Sequence, residues 1–186
     1  MDDHQLIAEC LQGQEAAFGE LVRRYQDRLY NAVYRIVHNA EDAQDVVQEA
    51  FFHAYQALDS FKGDAQFFTW LCRIAINAAI SFRRRRKITV PIEFRPEGEM
   101  LISPVDESEG ADPTHQMDRA EQGQRLHLAL AQLSQEHRTV LVLKDMEGMK
   151  YEEMAEMLQV PIGTIRSRLH RARLELRAIL EELEPD

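Results

Sequence analysis

Apolar residues recur three and four positions apart along almost the whole chain, and that rhythm breaks only once. The spacing is that of helices burying one stripe each, and no stretch shows the sustained two-residue alternation of strands between hairpin turns. The break runs from Thr89 to about Pro113 and holds Pro91, Pro96, Pro104 and Pro113, with Gly98 and Gly110. Proline and glycine at that density stop helices and favour an extended connection. The chain is therefore expected to be all-α: two small helical domains, residues 1–88 and 115–186, joined by an acidic flexible linker over 89–114.

Within the first block the stripes are Leu6, Ile7, Cys10 and Leu11, ending at Gly13, then Phe18, Leu21, Val22, Tyr25, Leu29, Ala32, Val33 and Ile36. Asn39 is expected to cap the C-terminus of that second helix. Glu41 and Asp42 open a third, with Val46, Val47, Ala50, Ala54 and Leu58 inward, since acids suit the positive end of a helix dipole. A loop from Asp59 to Gln66 precedes a fourth helix over Phe67–Arg86, with Trp70, Leu71, Ile74, Ala75 and Ala78 inward. In the second block Leu126, Leu130 and Leu133 form one stripe. Ser134 caps a helix carrying Val140, Leu141 and Leu143 that stops at Gly148. Tyr151, Met154, Ala155 and Leu158 line a short helix, Gln159-Val160-Pro161 breaks it, and Ile165, Leu169, Ala172 and Leu176 line a longer one with Pro161 at its first position.

Charge is segregated along the 186 residues. The net charge of −10 argues, taken alone, against nucleic-acid binding, but local fields steer ligands. Arg83-Arg84-Arg85-Arg86-Lys87 is one basic run, and Arg166, Arg168, Arg171, Arg173 and Arg177 are opposed only by Glu175. Between the two lie nine acids from Glu93 to Glu121, opposed by Arg95 and Arg119. Cys10 and Cys72 lack a Cys-x-x-Cys spacing and read as buried reduced thiols of a cytosolic protein. The acidic start, Met1-Asp2-Asp3-His4, has no signal-peptide pattern, and no run of about 18 apolar residues offers a membrane span.

Three groups of residues carry candidate functions. Tyr151 to Arg173 has helix-turn-helix spacing, and Thr164, Arg166, Ser167, Arg168, His170, Arg171 and Arg173 occupy the part of the second helix that the aliphatic stripe leaves over. Arginine reads guanine edges or grips phosphates, and the spacing leaves the assignment open. Asp45, Gln48 and Glu49 share a helical face that fits a solvated surface, a basic partner or an acid/base pair. No second Glu-x-x-His accompanies Glu49 and His53, so no metal site is expected. Phe61, Lys62, Phe67, Phe68 and Trp70 combine aromatic faces with a cation, as surfaces that hold unpaired bases do. Packing into the core is the plainer reading for Phe67 and Trp70, and for Phe61 and Lys62 both remain open. Arg73 and Asn77 lie one turn apart beyond them, and Arg83 and Arg84 suit phosphate contacts. No Gly-rich phosphate loop, nucleophile elbow or ligand-spaced His/Cys cluster points to an enzyme or a bound cofactor.

Three runs, in this order, resemble the extracytoplasmic-function subfamily of bacterial RNA polymerase sigma factors, within the sigma-70 family: DAQDVVQEAF (Asp42–Phe51), FTWLCRIAIN (Phe68–Asn77) and VPIGTIRSRLHRAR (Val160–Arg173). They are similar to region 2.2, regions 2.3–2.4 and region 4.2, and the likeness spans nearly the whole chain. It implies that residues 1–88 form region 2, a four-helix domain, and 115–186 form region 4. By that analogy Asp45, Gln48 and Glu49 dock on the clamp helices of the polymerase largest subunit, and region 4 meets the polymerase flap. The loop from Phe61 to Gln66, with Lys62, captures a base flipped from the promoter −10 element, and Trp70, Arg73, Asn77, Arg83 and Arg84 contact that element. Thr164, Arg166, Ser167, Arg168, His170, Arg171 and Arg173 meet the −35 element. The acidic strap threads the polymerase cleft, and an anti-sigma partner is expected. Lys150 departs from the Ser or Thr that often caps the scaffold helix, so that cap must be made differently. Region 3 has no counterpart. A stand-alone helix-turn-helix regulator is the competing reading. It would need a dimer interface, for which no long exposed apolar stripe is left over.

Overall fold

The computed structural model describes the backbone of residues 1–89 and 113–183, and the side chains of 1–80 and 121–183. The acidic stretch between the blocks lies outside the described residues, as do the side chains of Arg83 and Arg84. Every regular element among the described residues is helical, and the chain divides into two compact units, Met1–Gly98 and Glu99–Asp186.

The first unit contains α1 (Asp3–Leu11), α2 (Glu15–Val37), α3 (Ala40–Gln56), a single 3-10 turn at Leu58–Ser60, and α4 (Phe67–Thr89). Helix α2 packs on α1, α3 and α4, and α3 also packs on α4. Leu21, Leu29, Val33, Ile36, Val46, Leu58 and Leu71 are all but fully enclosed, each worth about 1.5–3 kcal/mol of transfer free energy. The α2–α3 joint differs from the expected cap. His38 is the left-handed residue, at φ 55°, and its N–H reaches the Tyr34 carbonyl. Asn39 is extended and caps the next helix instead, its Oδ1 accepting from the Asp42 N–H at 2.8 Å. An Asn residue serves either end of a helix, and here only two residues, His38 and Asn39, separate the two helices. Leu11 is exposed at the outer end of α1.

Helix α4 buries a wider arc than a single stripe. Phe67, Phe68, Leu71, Cys72, Ala75, Ile76, Ala78 and Ala79 are buried, whereas Trp70 and Ile74, expected inside, are half-buried. The cause is contact with α2 on one side and α3 on the other, which moves the centre of the buried arc away from Trp70. Both cysteines are free thiols.

The second unit contains α5 (Pro113–Gln132), α6 (Gln135–Leu141), a π turn (Val142–Met146), α7 (Tyr151–Leu158) and α8 (Ile162–Glu182). Helices α4 and α5 thus reach Thr89, Pro113 and Thr114, inside the stretch expected to connect the blocks. Ser134 caps α6 as expected, accepting from the His137 N–H at 3.3 Å. The end of α6 widens so that the Glu147 N–H reaches the Val142 carbonyl at 3.0 Å, five residues back. Gly148, at φ 71°, then reverses the chain where a Cβ would be strained. Helix α7 buries Met154 and Met157, with Ala155 and Leu158 only half-buried. Helix α8 buries Ile165, Leu169 and Ala172, while Leu176 is half-buried.

One buried polar side chain holds α5 and α6 together. Arg138 is 7% exposed. Its guanidinium donates to the carbonyls of Leu130 (2.7 Å), Ala131 (2.9 Å) and Leu133 (2.9 Å). Leu130 and Ala131 lie in the last turn of α5, at the negative end of its dipole, where carbonyls lack their usual helical partners, and Leu133 follows just beyond. The Leu130 carbonyl also accepts from the Leu133 N–H at 3.2 Å. Arg138→Ala should therefore lower the stability of the second unit by about 2–3 kcal/mol, with Arg138→Lys recovering only part because a single ammonium cannot span three carbonyls. Urea unfolding followed by circular dichroism measures both.

Candidate nucleic-acid and partner interface

On α3 the buried stripe of Val46, Ala50, Phe51 and Ala54 turns Asp45 and Gln48 outward into exposed positions, with Glu49 half-buried beside them. Glu49 Oε1 lies 3.5 Å from His53 Nε2. Gln48 also borders an open cleft of about 370 Å³ between α2 and α3, with Gln26, Asp27, Tyr30 and Gln44 around an apolar floor of Val22, Val47 and Phe51. The sequence reading had only the α3 side of this surface, because the α2 residues are some twenty positions away. Among the described residues no three His, Cys, Asp or Glu side chains converge to hold a metal ion.

The loop over 59–66 opens with the 3-10 turn, where the Phe61 N–H reaches the Leu58 carbonyl and Ser60 Oγ donates to that of Ala57. It bends at Gly63, φ 79°. The Phe61 ring packs edge-on to Phe67, centroids 5.8 Å apart, and lies 5.3 Å from Trp70. Phe67 is core, but Phe61 and Trp70 each keep part of their surface toward solvent, and Lys62 is exposed. Beside this cluster an open cleft of about 430 Å³ is lined by Phe61, Ala65, Gln66 and Phe67, and also by Asp2, Asp3, His4, Arg24 and Tyr25.

The far wall of that cleft, the start of α1, was missed in the sequence because its residues look like an ordinary capped helix. Asp2 and Gln5 do form a reciprocal cap, at 2.8 and 3.0 Å. Asp3 is then held by Arg24 Nη1 at 2.5 Å and by a short hydrogen bond from the Tyr25 hydroxyl, and Arg24 Nη2 donates to the Met1 carbonyl at 3.0 Å. Burial, with the Asp3 carboxylate beside it, pushes the Tyr25 phenol up to about 12. Trp70, Arg73 and Asn77 follow at helical spacing on one face of α4, with Arg73 and Asn77 exposed.

In the second unit α7 ends at Gln159, left-handed at φ 53°. Pro161 is the N-cap of α8 rather than its first residue, so the helix starts one residue later than expected, and the Pro161 carbonyl takes the N–H groups of Thr164 (2.9 Å) and Ile165 (3.2 Å). The α7 cap is made without a Lys150 acceptor, since an ammonium has none. The Glu153 carboxylate accepts from the Lys150 N–H at 2.8 Å.

On α8, Arg166, Ser167, His170 and Arg171 are exposed and Thr164 is half-buried. The Arg166 guanidinium lies 5.7 Å from the centre of the Tyr151 ring. Two arginines of the expected set are engaged inside the unit instead. Arg168 pairs with Glu136 at 2.8 Å. Arg173 grips both oxygens of Asp145, at 2.5 and 3.0 Å, and that carboxylate raises its affinity for its proton.

With this geometry in hand, two family models match the chain: sigma-70 region 2 over residues 21–88 and sigma-70 region 4 over 123–176. The RNA polymerase sigma-H factor of Pseudomonas aeruginosa is 40% identical over 190 residues, covering 98% of this chain and 94% of that one. The chain belongs to the sigma-70 family of RNA polymerase sigma factors. The extracytoplasmic-function (ECF) sigma-E factor of Escherichia coli is 38% identical over 176 residues, 93% and 91% of the two chains, and places it in the ECF branch. Among solved structures, CnrH in complex with the cytosolic domain of CnrY aligns at TM-score 0.65 and 28% identity over 98% of this chain and 99% of that one. RpoE with the anti-sigma factor NepR from Bartonella quintana aligns at 0.68 and 26%, over 90% and 98%. Relatives named as polymerase sigma factors along almost their full length set the stand-alone regulator aside.

The surfaces of this sigma factor divide accordingly, with the α3 face and the aromatic cleft in region 2 and the exposed α8 face in region 4. The Tyr25–Asp3–Arg24 network on the cleft wall has a pH signature. The folded state holds the phenol proton more tightly than the unfolded chain, whose tyrosine titrates near 10. The contribution is intact below pH 10 and lost as pH climbs towards about 12. Tyr25→Phe should remove that part of the alkaline sensitivity, read by unfolding midpoints across this range alongside the ultraviolet absorbance of tyrosinate.

Proposed function

We propose that this sigma factor binds core RNA polymerase and directs it to promoters carrying matched −35 and −10 elements, helping to open the DNA, while the polymerase supplies all the chemistry. The observation that carries this reading is the exposure of Asp45 and Gln48 on a helix face that its own core does not need, inside the stretch matched by sigma-70 region 2. Three acceptor-rich side chains at i, i+3 and i+4 suit a basic helical partner, here the clamp helices of the polymerase largest subunit. Region 4 meets the flap.

The half-exposed pair Phe61 and Trp70, beside the cleft walled by α1, suits an unstacked base of the −10 element. Extruding a base costs a few kcal/mol, and stacking on an aromatic face returns about 1–3 kcal/mol. Lys62, Arg73 and Asn77, with Arg83 and Arg84 further along α4, follow the strand. On α8, Arg166, Ser167, His170 and Arg171 enter the major groove of the −35 element near the helix start, where helix-turn-helix proteins contact base edges. Residues 1–88 and 115–186 carry these two tasks, and the acidic residues between them occupy the polymerase cleft. The factor works in the cytoplasm. No helix among the described residues is long and apolar enough to cross a membrane. The sigma–anti-sigma complex among the aligned structures supports an inhibitory protein partner for this chain as well.

Each DNA-binding surface is small, so avidity arises only when polymerase fixes their separation. Run-off transcription by core enzyme with and without the chain is the direct test. Free factor should bind the selected promoter at least tenfold more weakly than holoenzyme does, and equal affinities would overturn the scheme. Gln48→Ala with Glu49→Ala should reduce core-polymerase binding more than tenfold while leaving the helical circular dichroism unchanged.

A further inference from the structure

Seven side chains of α8 were candidates for DNA contact, and the packing of the second unit sorts them. At about 100° per residue, Arg168 and Arg173 fall roughly 70° to opposite sides of the buried stripe of Ile165, Leu169 and Ala172. Ser167 is nearly opposite that stripe, and His170 and Arg171 flank Ser167. The two flanking arginines lean back to acids of neighbouring segments: Arg168 to Glu136 in the first turn of α6, and Arg173 to Asp145 in the π turn that ends it. Glu175, on the same flank as Arg168, adds a third tie, with its Oε2 2.7 Å from His137 Nδ1. Arg171 has no such acid among the described residues.

We infer that Arg168 and Arg173 do not contact promoter DNA but act as positioning struts, pulling α8 from both flanks onto α6 and its π turn and so setting the angle at which Ser167, His170 and Arg171 meet the bases. This rests on the reading of α8 as the −35 recognition helix. Two features support it. Arg173 presents its planar fork to both oxygens of one carboxylate, the geometry it would otherwise use on a phosphate. The two pairs also lie on opposite sides of the helix axis, so the pull of one is countered by the other, and rotation about that axis is opposed in both directions. A helix rolled by even a fraction of a turn would exchange Ser167 for one of its neighbours at the centre of the groove.

The test uses holoenzyme reconstituted from core polymerase and the full chain, with a promoter duplex selected from a random pool and a scrambled −35 duplex as control. Binding is measured across salt concentrations. A residue that neutralises a phosphate contributes about one unit to the slope of log affinity against log salt. Arg171→Gln should weaken binding about tenfold or more and lower that slope by about one. Arg168→Gln and Arg173→Gln should leave the slope unchanged and instead reduce discrimination between selected and scrambled duplexes several-fold. Asp145→Asn should reproduce Arg173→Gln, the double variant should be no worse than either, and Arg173→Glu with Asp145→Arg should restore discrimination.

A slope lowered by Arg168→Gln or Arg173→Gln, or tighter DNA binding by Asp145→Asn, would overturn the strut assignment and make these arginines DNA ligands restrained by acids. If Arg171→Gln changes neither slope nor affinity, the placement of α8 on the −35 element itself fails. That outcome is separate from the behaviour of the struts.

Discussion

Each unit has only a small core, and the rest of the molecule follows from that constraint. A domain of this size buries a smaller fraction of its surface than a large one, so each helix must commit a full stripe to a shared core. In region 2 that commitment reaches its limit in α4, which serves α2 and α3 at once and buries eight side chains between Phe67 and Ala79. The helix faces left over are fixed in direction by the same packing. Functional side chains need no machinery of their own to be held outward. Asp45 and Gln48 point away because Val46 and Ala50 cannot.

Polar groups finish what the small cores leave incomplete, and they do so at helix ends. Arg138 gathers three carbonyls at the end of α5, Asn39 and Ser134 cap the starts of α3 and α6, and Asp3 ties α1 to α2 through Arg24 and Tyr25. Each is a local fastening. The Asp3 network forms the wall opposite Phe61, so the cleft beside the 59–66 loop has a shape before any ligand arrives. A preformed site avoids ordering costs at the moment of binding, which suits a protein asked to stabilise a few unpaired nucleotides against the re-pairing of a duplex.

Acidic side chains in region 4 serve to tie its helices together. Glu136, Asp145 and Glu175 are all engaged with cations or histidine across the α6–α8 contact, which reduces the charge that α8 presents as a whole. What remains outward is a narrow group rather than a uniformly basic helix. A helix of unpaired arginines would bind any duplex through its phosphates. Pairing some of them internally favours recognition of sequence over adhesion to DNA in general.

The helical spacing, the proline-rich break and the charge blocks of this chain depend on residues close together along it, and so did everything correctly read without coordinates. The two helical blocks, the turn at Gln159–Pro161, the Ser134 cap, the exposed pair Asp45 and Gln48, and the membership of the sigma-70 family were all legible there. The errors arose where one residue type suits two neighbouring positions, as with Asn39 and Pro161, or where a helix touches two partners, as with Trp70. Only tertiary structure could bring the start of α1 to the 59–66 loop, or separate Arg168 and Arg173 from Arg171. Asp145 and Arg173 lie 28 residues apart and His137 and Glu175 lie 38 apart. No local periodicity links such pairs, because their meeting depends on how α6 crosses α8, and that is settled by the packing of side chains between them.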